Sequence, residues 1–108
     1  YLTPSARINN GNYYNASNGR FTAPVSGTYF FFFSYVAENA VAAPVMYFYI
    51  NGSASGPGQS CYYNSFMGTY HGQLYTLTKD DYVNAAARDW NGATPDPWNT
   101  YWGGWLLY

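Results

Sequence analysis

One unbroken apolar run dominates the hydrophobic pattern of the chain. Residues Thr28 to Val36 are almost entirely aromatic or apolar, and they follow a turn marked by Pro24 and Gly27. Successive side chains of a β-strand point to opposite faces, so a strand with one wet face would alternate, and this one does not. The run therefore predicts a strand covered on both faces. In a chain too short for a second layer on each side, we expect one cover to be another copy of the chain.

The rest of the chain carries shorter aromatic and β-branched runs separated by turn signals. Asn-Gly pairs stand at 10–11, 18–19, 51–52 and 91–92, and Gly-Pro-Gly stands at 56–58, whereas helical periodicity is almost absent. Such spacing predicts an all-β, antiparallel two-sheet sandwich of the jelly-roll type. The predicted strands are Ala6 to Ile8, Tyr13 to Tyr14, Arg20 to Ala23, Thr28 to Val36, Val45 to Ile50, Tyr70 to Leu77, Tyr82 to Arg88 and Tyr101 to Tyr108.

Size and charge narrow the class of protein. A chain of 108 residues predicts a single domain over 1–108, and its one cysteine cannot close an internal disulfide. With 4 basic and 5 acidic residues, we expect no attraction to nucleic acid or anionic lipid. Polarity comes instead from Asn, Ser, Thr and Gly, which is typical of an extracellular or virion-surface β-protein. No membrane insertion is expected, and the chain does not start with Met, as in a processed or excised domain.

Two long predicted loops, Asn51 to Phe66 and Asp89 to Thr100, hold large aromatic rings among Gly, Pro, Asn and Ser. Amphipathic rings on exposed connections are typical of binding surfaces. The alternative is that these rings fold back as lids over the ends of the sandwich. The ligand-binding candidates are Tyr62, Tyr63, Trp90 and Trp98.

Catalysis has little support in the sequence. His71 is the one imidazole, and no nucleophile motif surrounds the serines or Cys61, so we expect no enzymatic activity. Four acidic residues on turns and loops offer oxygen ligands for calcium, but without the spacing of a calcium loop, so solvated acids are the default and metal binding stays open. These residues are Asp80, Asp81, Asp89 and Asp96. No other cofactor is expected.

Three ordered segments of the chain form a signature. The first is Asn9-x4-Tyr14-x6-Phe21-x5-Gly27-x-Tyr29-x-Phe31-x-Phe33, the second is Leu77-x3-Asp81-x-Val83, and the third is Trp102-x-Gly104-Trp105-Leu106-Leu107-Tyr108. Together they resemble the globular head domain of complement component one, subcomponent q (C1q), which shares its trimeric jelly-roll fold with tumour necrosis factor (TNF). The resemblance spans residues 9–108 and implies a homotrimer.

The chain departs from the family pattern at two places. Thr3 stands where the family has Phe, so we expect the first family strand to be shortened or missing. Asp80 stands where the family has Gly in its Leu-x-x-Gly-Asp-x-Val turn, which leaves the shape of that turn open.

The resemblance also implies where the copies meet. In the family, the strand after Gly-x-Tyr and the last strand lie side by side in the inner sheet, with one face on the core and the other near the threefold axis. Gly103 and Gly104 permit close approach there. The trimer-interface candidates are Phe30, Phe32, Trp102, Trp105 and Leu107.

The function expected from these features is non-enzymatic recognition at a virion surface or in the extracellular space. The composition is closest to bacteriophage versions of the fold, which suggests a fibre or receptor-binding tip that engages a surface glycan or protein. One alternative is a decoration or cement trimer bound to a capsid lattice. Another is a secreted C1q-like ligand of innate immunity.

Overall fold

Two antiparallel sheets make up the described part of the chain. The computed structural model describes residues 9–39, 45–60, 68–89, 94–95 and 100–108. These residues contain a short 3-10 helix, Asn10–Asn12, and the following strands: β1 (Tyr14–Asn15), β2 (Arg20–Thr22), β3 (Gly27–Asn39), β4 (Val45–Ile50), β5 (Ser53–Ser60), β6 (Gly68–Leu77), β7 (Tyr82–Asp89), β8 (Thr94–Pro95) and β9 (Tyr101–Leu106). The predicted fold class is confirmed.

The outer sheet has the strand order β1-β2-β7-β4-β5. Strands β4 and β5 form a hairpin in which Ile50 pairs with Ser53 across the two residues Asn51 and Gly52. Both turn residues have positive φ, 50° and 86°, which is the backbone that a type I′ turn requires and that Asn-Gly adopts readily. The Asn-Gly pair at 51–52 is therefore a hairpin turn, as its sequence indicates.

The inner sheet is built around the long apolar strand β3. Strand β6 pairs with it along one edge, with Phe31 opposite Gln73, and β9 pairs along the other, with Phe31 opposite Gly104. The short strand β8 pairs with the far end of β3. The central and last apolar runs of the sequence thus lie side by side in one sheet.

The core of the sandwich forms from the odd positions of β3. Tyr29, Phe31, Phe33 and Tyr35 are completely buried, and the even positions Phe30 and Phe32 are only partly buried. The odd side chains face an apolar layer from β4 and β7 that includes Met46, Phe48, Val83 and Ala85. Burying a large apolar side chain stabilises a fold by roughly 1.5–3 kcal/mol, so this layer is a main source of stability.

The two lateral openings of the sandwich are bridged by aromatic side chains. On one side, the Tyr75 hydroxyl donates a hydrogen bond of 2.9 Å to the carbonyl oxygen of Ser55, which links β6 to β5. Burial raises the pKa of Tyr75 to about 12, although that hydrogen bond opposes the shift. On the other side, the rings of Tyr14 and Trp102 meet edge to face at 5.6 Å, which links β1 to β9.

The strand boundaries differ from the predicted ones in the loops. Strand β5 occupies half of the predicted loop from residue 51 to 66, and β8 lies in the predicted loop from 89 to 100. Strand β5 contains the Gly-Pro-Gly sequence that indicates a loop, but it is the edge strand of its sheet, where proline and glycine are tolerated. The predicted strand Ala6 to Ile8 and the shortened first strand lie outside the described residues.

Candidate functional site

The solvent face of the inner sheet is the largest feature that the core does not use. Strand register places Leu74 and Trp105 on either side of Phe30. Four residues further along β3, it places Tyr70 and Tyr101 on either side of Ser34. Directly opposed residues of an antiparallel pair share a face. We call this surface the inner-sheet face; its large side chains are Phe30, Phe32, Tyr70, Leu74, Tyr101 and Trp105.

Phe32 is the hub of the inner-sheet face. Its ring is stacked on Tyr70 at 6.1 Å and meets Tyr101 edge-on at the same distance. It also lies 6.1 Å from Trp105 and 6.5 Å from Phe30. These distances lie in the range of favourable aromatic pairs. The rings therefore hold one another in place before any partner arrives.

Two glycines on the inner-sheet face leave room for neighbouring phenylalanine rings. A Cβ at Gly72 would lie 2.8 Å from Cζ of Phe30, and one at Gly103 would lie 3.2 Å from Cζ of Phe32. The two phenylalanine rings therefore occupy the space over the neighbouring strands that side chains at 72 and 103 would need. Because no side chain projects from these two positions, the surface can approach a partner closely.

Water covers much of this apolar surface in the isolated chain. Tyr70 is 60% exposed, Leu74 55%, Trp105 51% and Tyr101 47%. Over the paired residues 28–36 of β3, 68–76 of β6 and 101–105 of β9, the register brings no charged residue onto this face. Soluble monomers seldom expose a contiguous apolar patch of this kind, so the inner-sheet face has the character of a protein interface.

Residues 5–107 match the sequence model of the C1q domain family. The chain belongs to the C1q domain family. Domains of this family and of the related TNF family form homotrimers, bind proteins or glycans, and are usually extracellular or secreted. No curated protein matches the chain by sequence.

Three solved structures share the fold of this C1q-family chain. Rabbit GITRL is 18% identical with a TM-score of 0.63, over 83% of this chain and 72% of its own. Pika GITRL is 17% identical with a TM-score of 0.58, over 82% and 76%. A family 35 carbohydrate binding module from Clostridium thermocellum is 20% identical with a TM-score of 0.52, over 79% and 64%. At such identities the likeness concerns the fold alone.

The predicted trimer candidates fall on two faces. Phe30, Phe32 and Trp105 lie together on the inner-sheet face, and Leu107 follows β9, where it is 45% exposed and its amide donates to the Thr28 carbonyl oxygen. Trp102 differs from the expectation. It pairs with Phe33 and packs against the core, because it occupies the inward register of β9.

Three members of the inner-sheet face were missed by sequence reasoning: Tyr70, Leu74 and Tyr101. The alternation of Tyr70, Gly72 and Leu74 in β6 carries part of the signal, since these residues share one face of a strand. Their union with Phe32 depends on strand register, which no local pattern in the chain fixes.

The four ligand-binding candidates, Tyr62, Tyr63, Trp90 and Trp98, lie outside the described residues. The strands next to them in sequence are described. Val45 pairs with both Ser60 and Asp89, so β5 and β7 end side by side. In the inner sheet, the first residue of β6, Gly68, pairs with Val36. The first residue of β9, Tyr101, pairs with Ser34 nearby. We call this side of the sandwich the loop end. The carboxyl end of the chain lies at the opposite end, where Tyr108 accepts a hydrogen bond from Thr28.

The imidazole group of His71 has structural partners. His71 Nε2 lies 3.1 Å from Gln73 Oε1, and its ring packs 5.6 Å from that of Phe33. Among the described residues, no three His, Cys, Asp or Glu side chains gather as metal ligands would. Asp80 and Asp81 belong to a turn, and the side chains of Asp89 and Asp96 lie outside the described residues, as does Cys61. Over the same part of the chain, no helix has the length and apolar composition to cross a membrane.

Proposed function

We propose that this C1q-family chain is a non-enzymatic, homotrimeric recognition module that acts on a virion surface or in the extracellular space. The observation that carries the proposal is the inner-sheet face, where Phe32 is surrounded by rings and four large side chains are about half exposed. Three copies around an axis would remove this surface from water, which is the main driving force for association.

The recognition role of the proposed trimer depends on its cyclic symmetry. Three copies related by a threefold axis point in the same direction, so the three loop ends would lie at one end of the assembly. In sequence, the strands that end at each loop end adjoin the segments that contain Tyr62, Tyr63, Trp90 and Trp98. Three weak sites that engage a repeated ligand together exceed the single-site affinity by roughly a hundredfold or more, provided that their spacing matches.

The proposed ligand is a repeated glycan or protein on a host surface, bound by a bacteriophage fibre or receptor-binding tip. Large amphipathic rings suit both ligands, because a ring can stack on the apolar face of a sugar or fill a protein pocket. The fold similarity to a carbohydrate binding module is compatible with a glycan. Low net charge is also compatible with recognition that does not depend on charge.

Sedimentation equilibrium tests the assembly. The wild-type chain is expected to sediment as a trimer, and Phe32→Ser and Trp105→Ser are expected to shift it toward monomer, because each places a polar side chain within the inner-sheet face. Tyr13→Ser is the matched control, since Tyr13 is 43% exposed but belongs to the outer sheet side of the chain. A folded wild-type monomer at micromolar concentration would refute the trimer.

Binding to host cells or immobilised surface glycan tests the recognition. Alanine at Tyr62, Tyr63, Trp90 and Trp98 together is expected to weaken binding strongly without dissociating the trimer. Unchanged binding would show that the loop residues are not the binding surface. Copy number tests the setting: a fibre tip is expected in a few dozen copies per particle at most, and hundreds of copies would indicate a capsid decoration protein instead.

A further inference from the structure

The outward side of the outer sheet carries a second aromatic surface, on the opposite side of the sandwich from the inner-sheet face. Along β4, Met46 and Phe48 are buried in the core, and Tyr47 and Tyr49 between and after them point outward and are partly exposed. Two residues along a strand span about 7 Å, so the two tyrosines are neighbours on one face. We call this pair, Tyr47 and Tyr49, the tyrosine platform.

The edge strand β5 leaves room for the tyrosine platform. A Cβ at Gly58 would lie 2.6 Å from Cε1 and 2.7 Å from Oη of Tyr47, so the Tyr47 ring lies across β5 in the space of the missing side chain. Ala54, opposite Tyr49, is also small and exposed. Because β5 is the edge of the sheet, no further described strand follows beyond these small residues.

The described side chains directly beside the platform are uncharged. On the β7 side, Tyr47 pairs with Ala86 and Tyr49 pairs with Asn84. The charged group on the outward side of neighbouring β2, Arg20, is already placed 4.0 Å over the ring of Tyr82. A surface of aromatic rings with hydroxyl groups, whose described direct neighbours are uncharged, complements a ligand that is itself neutral, has an apolar face and carries hydroxyl groups.

We propose that the tyrosine platform binds a neutral sugar ring, with the apolar face of the sugar stacked on Tyr47 and its hydroxyl groups within reach of the phenol oxygens. Such a ligand matches each property of the surface: flat aromatic area, phenol oxygens that donate and accept hydrogen bonds, and described neighbours without charge. Phosphorylated or acidic sugars match it less well, since none of the described side chains beside the platform is basic.

This inference deepens the proposed function and rests on it for avidity alone. Each subunit would carry its own platform on the outside of the trimer, away from the inner-sheet face. Binding of a single sugar therefore does not require the trimer. It also does not require Tyr62, Tyr63, Trp90 or Trp98.

The test is nuclear magnetic resonance titration of the full chain with glucose, galactose, N-acetylglucosamine and lactose at millimolar concentrations. At least one sugar is expected to shift the ring signals of Tyr47 and Tyr49 and to show saturation transfer. Tyr47→Ala is expected to lower the affinity for that sugar about tenfold, which is the upper end of what an aromatic contact contributes. Tyr108→Ala is the control, because Tyr108 is 82% exposed at the end of the chain. This variant is expected to bind the sugar with unchanged affinity.

Gly58→Ala tests the platform without removing a tyrosine. The new methyl group meets the far end of a flexible side chain, so the Tyr47 ring is expected to swing away while the fold is kept. Sugar affinity should then fall as in Tyr47→Ala, with an unchanged melting temperature. If all four sugars leave the Tyr47 and Tyr49 signals in place, or if Gly58→Ala and Tyr47→Ala bind as the wild type does, the inference is overturned.

The failure of this inference and that of the proposed function give different results. Loss of multivalent glycan binding in the loop variant, with no sugar effect at Tyr47, would leave the loop-end function standing and remove the platform. A wild-type monomer that still binds a sugar at Tyr47 would remove the trimer and keep the platform.

Discussion

Gly104 lies opposite Phe31 in the β9–β3 pair, and the ring of Phe31 occupies the space that any side chain at 104 would need. A Cβ at Gly104 would lie 2.7 Å from Cε1 of that ring and 2.5 Å from the carbonyl oxygen of Phe30. The carbonyl oxygen belongs to the backbone of the central strand, so a rotamer change cannot relieve both contacts. This glycine therefore sets how closely β9 and the core ring can pack.

Gly104→Ala is expected to lower the free energy of unfolding by about 1–3 kcal/mol, as overpacking of a core does. Urea denaturation followed by tryptophan fluorescence measures it. Gly103→Ala is the matched control: a Cβ there would lie 3.2 Å from Cζ of Phe32, on the side away from the core, and a small ring movement accommodates it. Equal stability of the two variants would contradict the packing role of Gly104.

Asn84 is a polar residue buried to 2% exposure on the outward side of β7. Its Nδ2 donates to the carbonyl oxygens of Gly19 at 2.8 Å and Asn18 at 3.3 Å, and so ties the turn between β1 and β2 to the outer sheet. Asn84→Leu is expected to destabilise the fold by about 1–3 kcal/mol, because the buried Gly19 carbonyl and the partly buried Asn18 carbonyl lose their donor. Thermal unfolding measures this, with Thr22→Ala on the neighbouring strand as an exposed control.

A stability of Asn84→Leu within the error of the wild type would mean that the turn finds other donors, for example water. Faster amide hydrogen exchange near Gly19 in the variant is the expected local sign of the lost tie.

Asp80 occupies the position of the family glycine and adopts its backbone conformation, with φ of 75°. Its amide donates to the Ala23 carbonyl oxygen at 2.9 Å, and the Asp81 amide donates to that of Thr78 at 3.0 Å. Left-handed backbone is unfavourable by roughly 1–2 kcal/mol for residues with a Cβ, and less for Asp. Asp80→Gly is therefore expected to match or exceed wild-type stability, and Asp80→Val to fall below it by about 1–2 kcal/mol. The reverse order in urea denaturation would show that this turn tolerates β-branched residues.

The carboxyl group of Asp81 makes the stability of the fold depend on pH in the acid range. Hydrogen bonds from Asn51 Nδ2 and from the Thr78 amide, 2.9 and 2.8 Å long, hold the pKa of its carboxyl group below the ordinary value of 3.8. The unfolded chain thus binds a proton at higher pH than the folded chain does. The stability due to this carboxylate is complete above the unfolded pKa and is lost as pH falls through the lower folded pKa.

Melting temperatures measured from neutral pH down to below about pH 4 check this expectation. The wild type is expected to lose stability over the acid part of the range, and Asp81→Asn to lose less, since it has no proton to bind. Parallel curves for the two proteins would contradict the role of Asp81. Asp80→Asn is the control for removing a charge from the same turn.

Much of the candidate site could be read from local pattern. The non-alternating run of β3 indicates two covered faces. The odd positions are buried in the core, the even positions Phe30 and Phe32 are partly buried, and the cover of their face by another copy stays a prediction. Asn51-Gly52 indicates a hairpin, which the structure contains. Such features depend on residues close together in the chain, where turn chemistry and side-chain alternation act directly.

Edge strands and the direction of individual rings were not readable in the same way. Strand β5 has the composition of a loop, yet it pairs with β4 because an edge strand needs only one neighbour. Trp102 looks like an interface residue in sequence but packs on the core, because a shift of one position along a strand reverses the face.

The sequence by itself determined the sheet class, the central strand and the family, because alternation, turn residues and motif spacing are local properties that survive without coordinates. Only the tertiary structure decided that Tyr70, Leu74 and Tyr101 join Phe30, Phe32 and Trp105 on one face, and that the Tyr47 ring lies across Gly58. These associations join residues far apart in the chain. They are fixed by strand register and packing, which no short segment encodes alone.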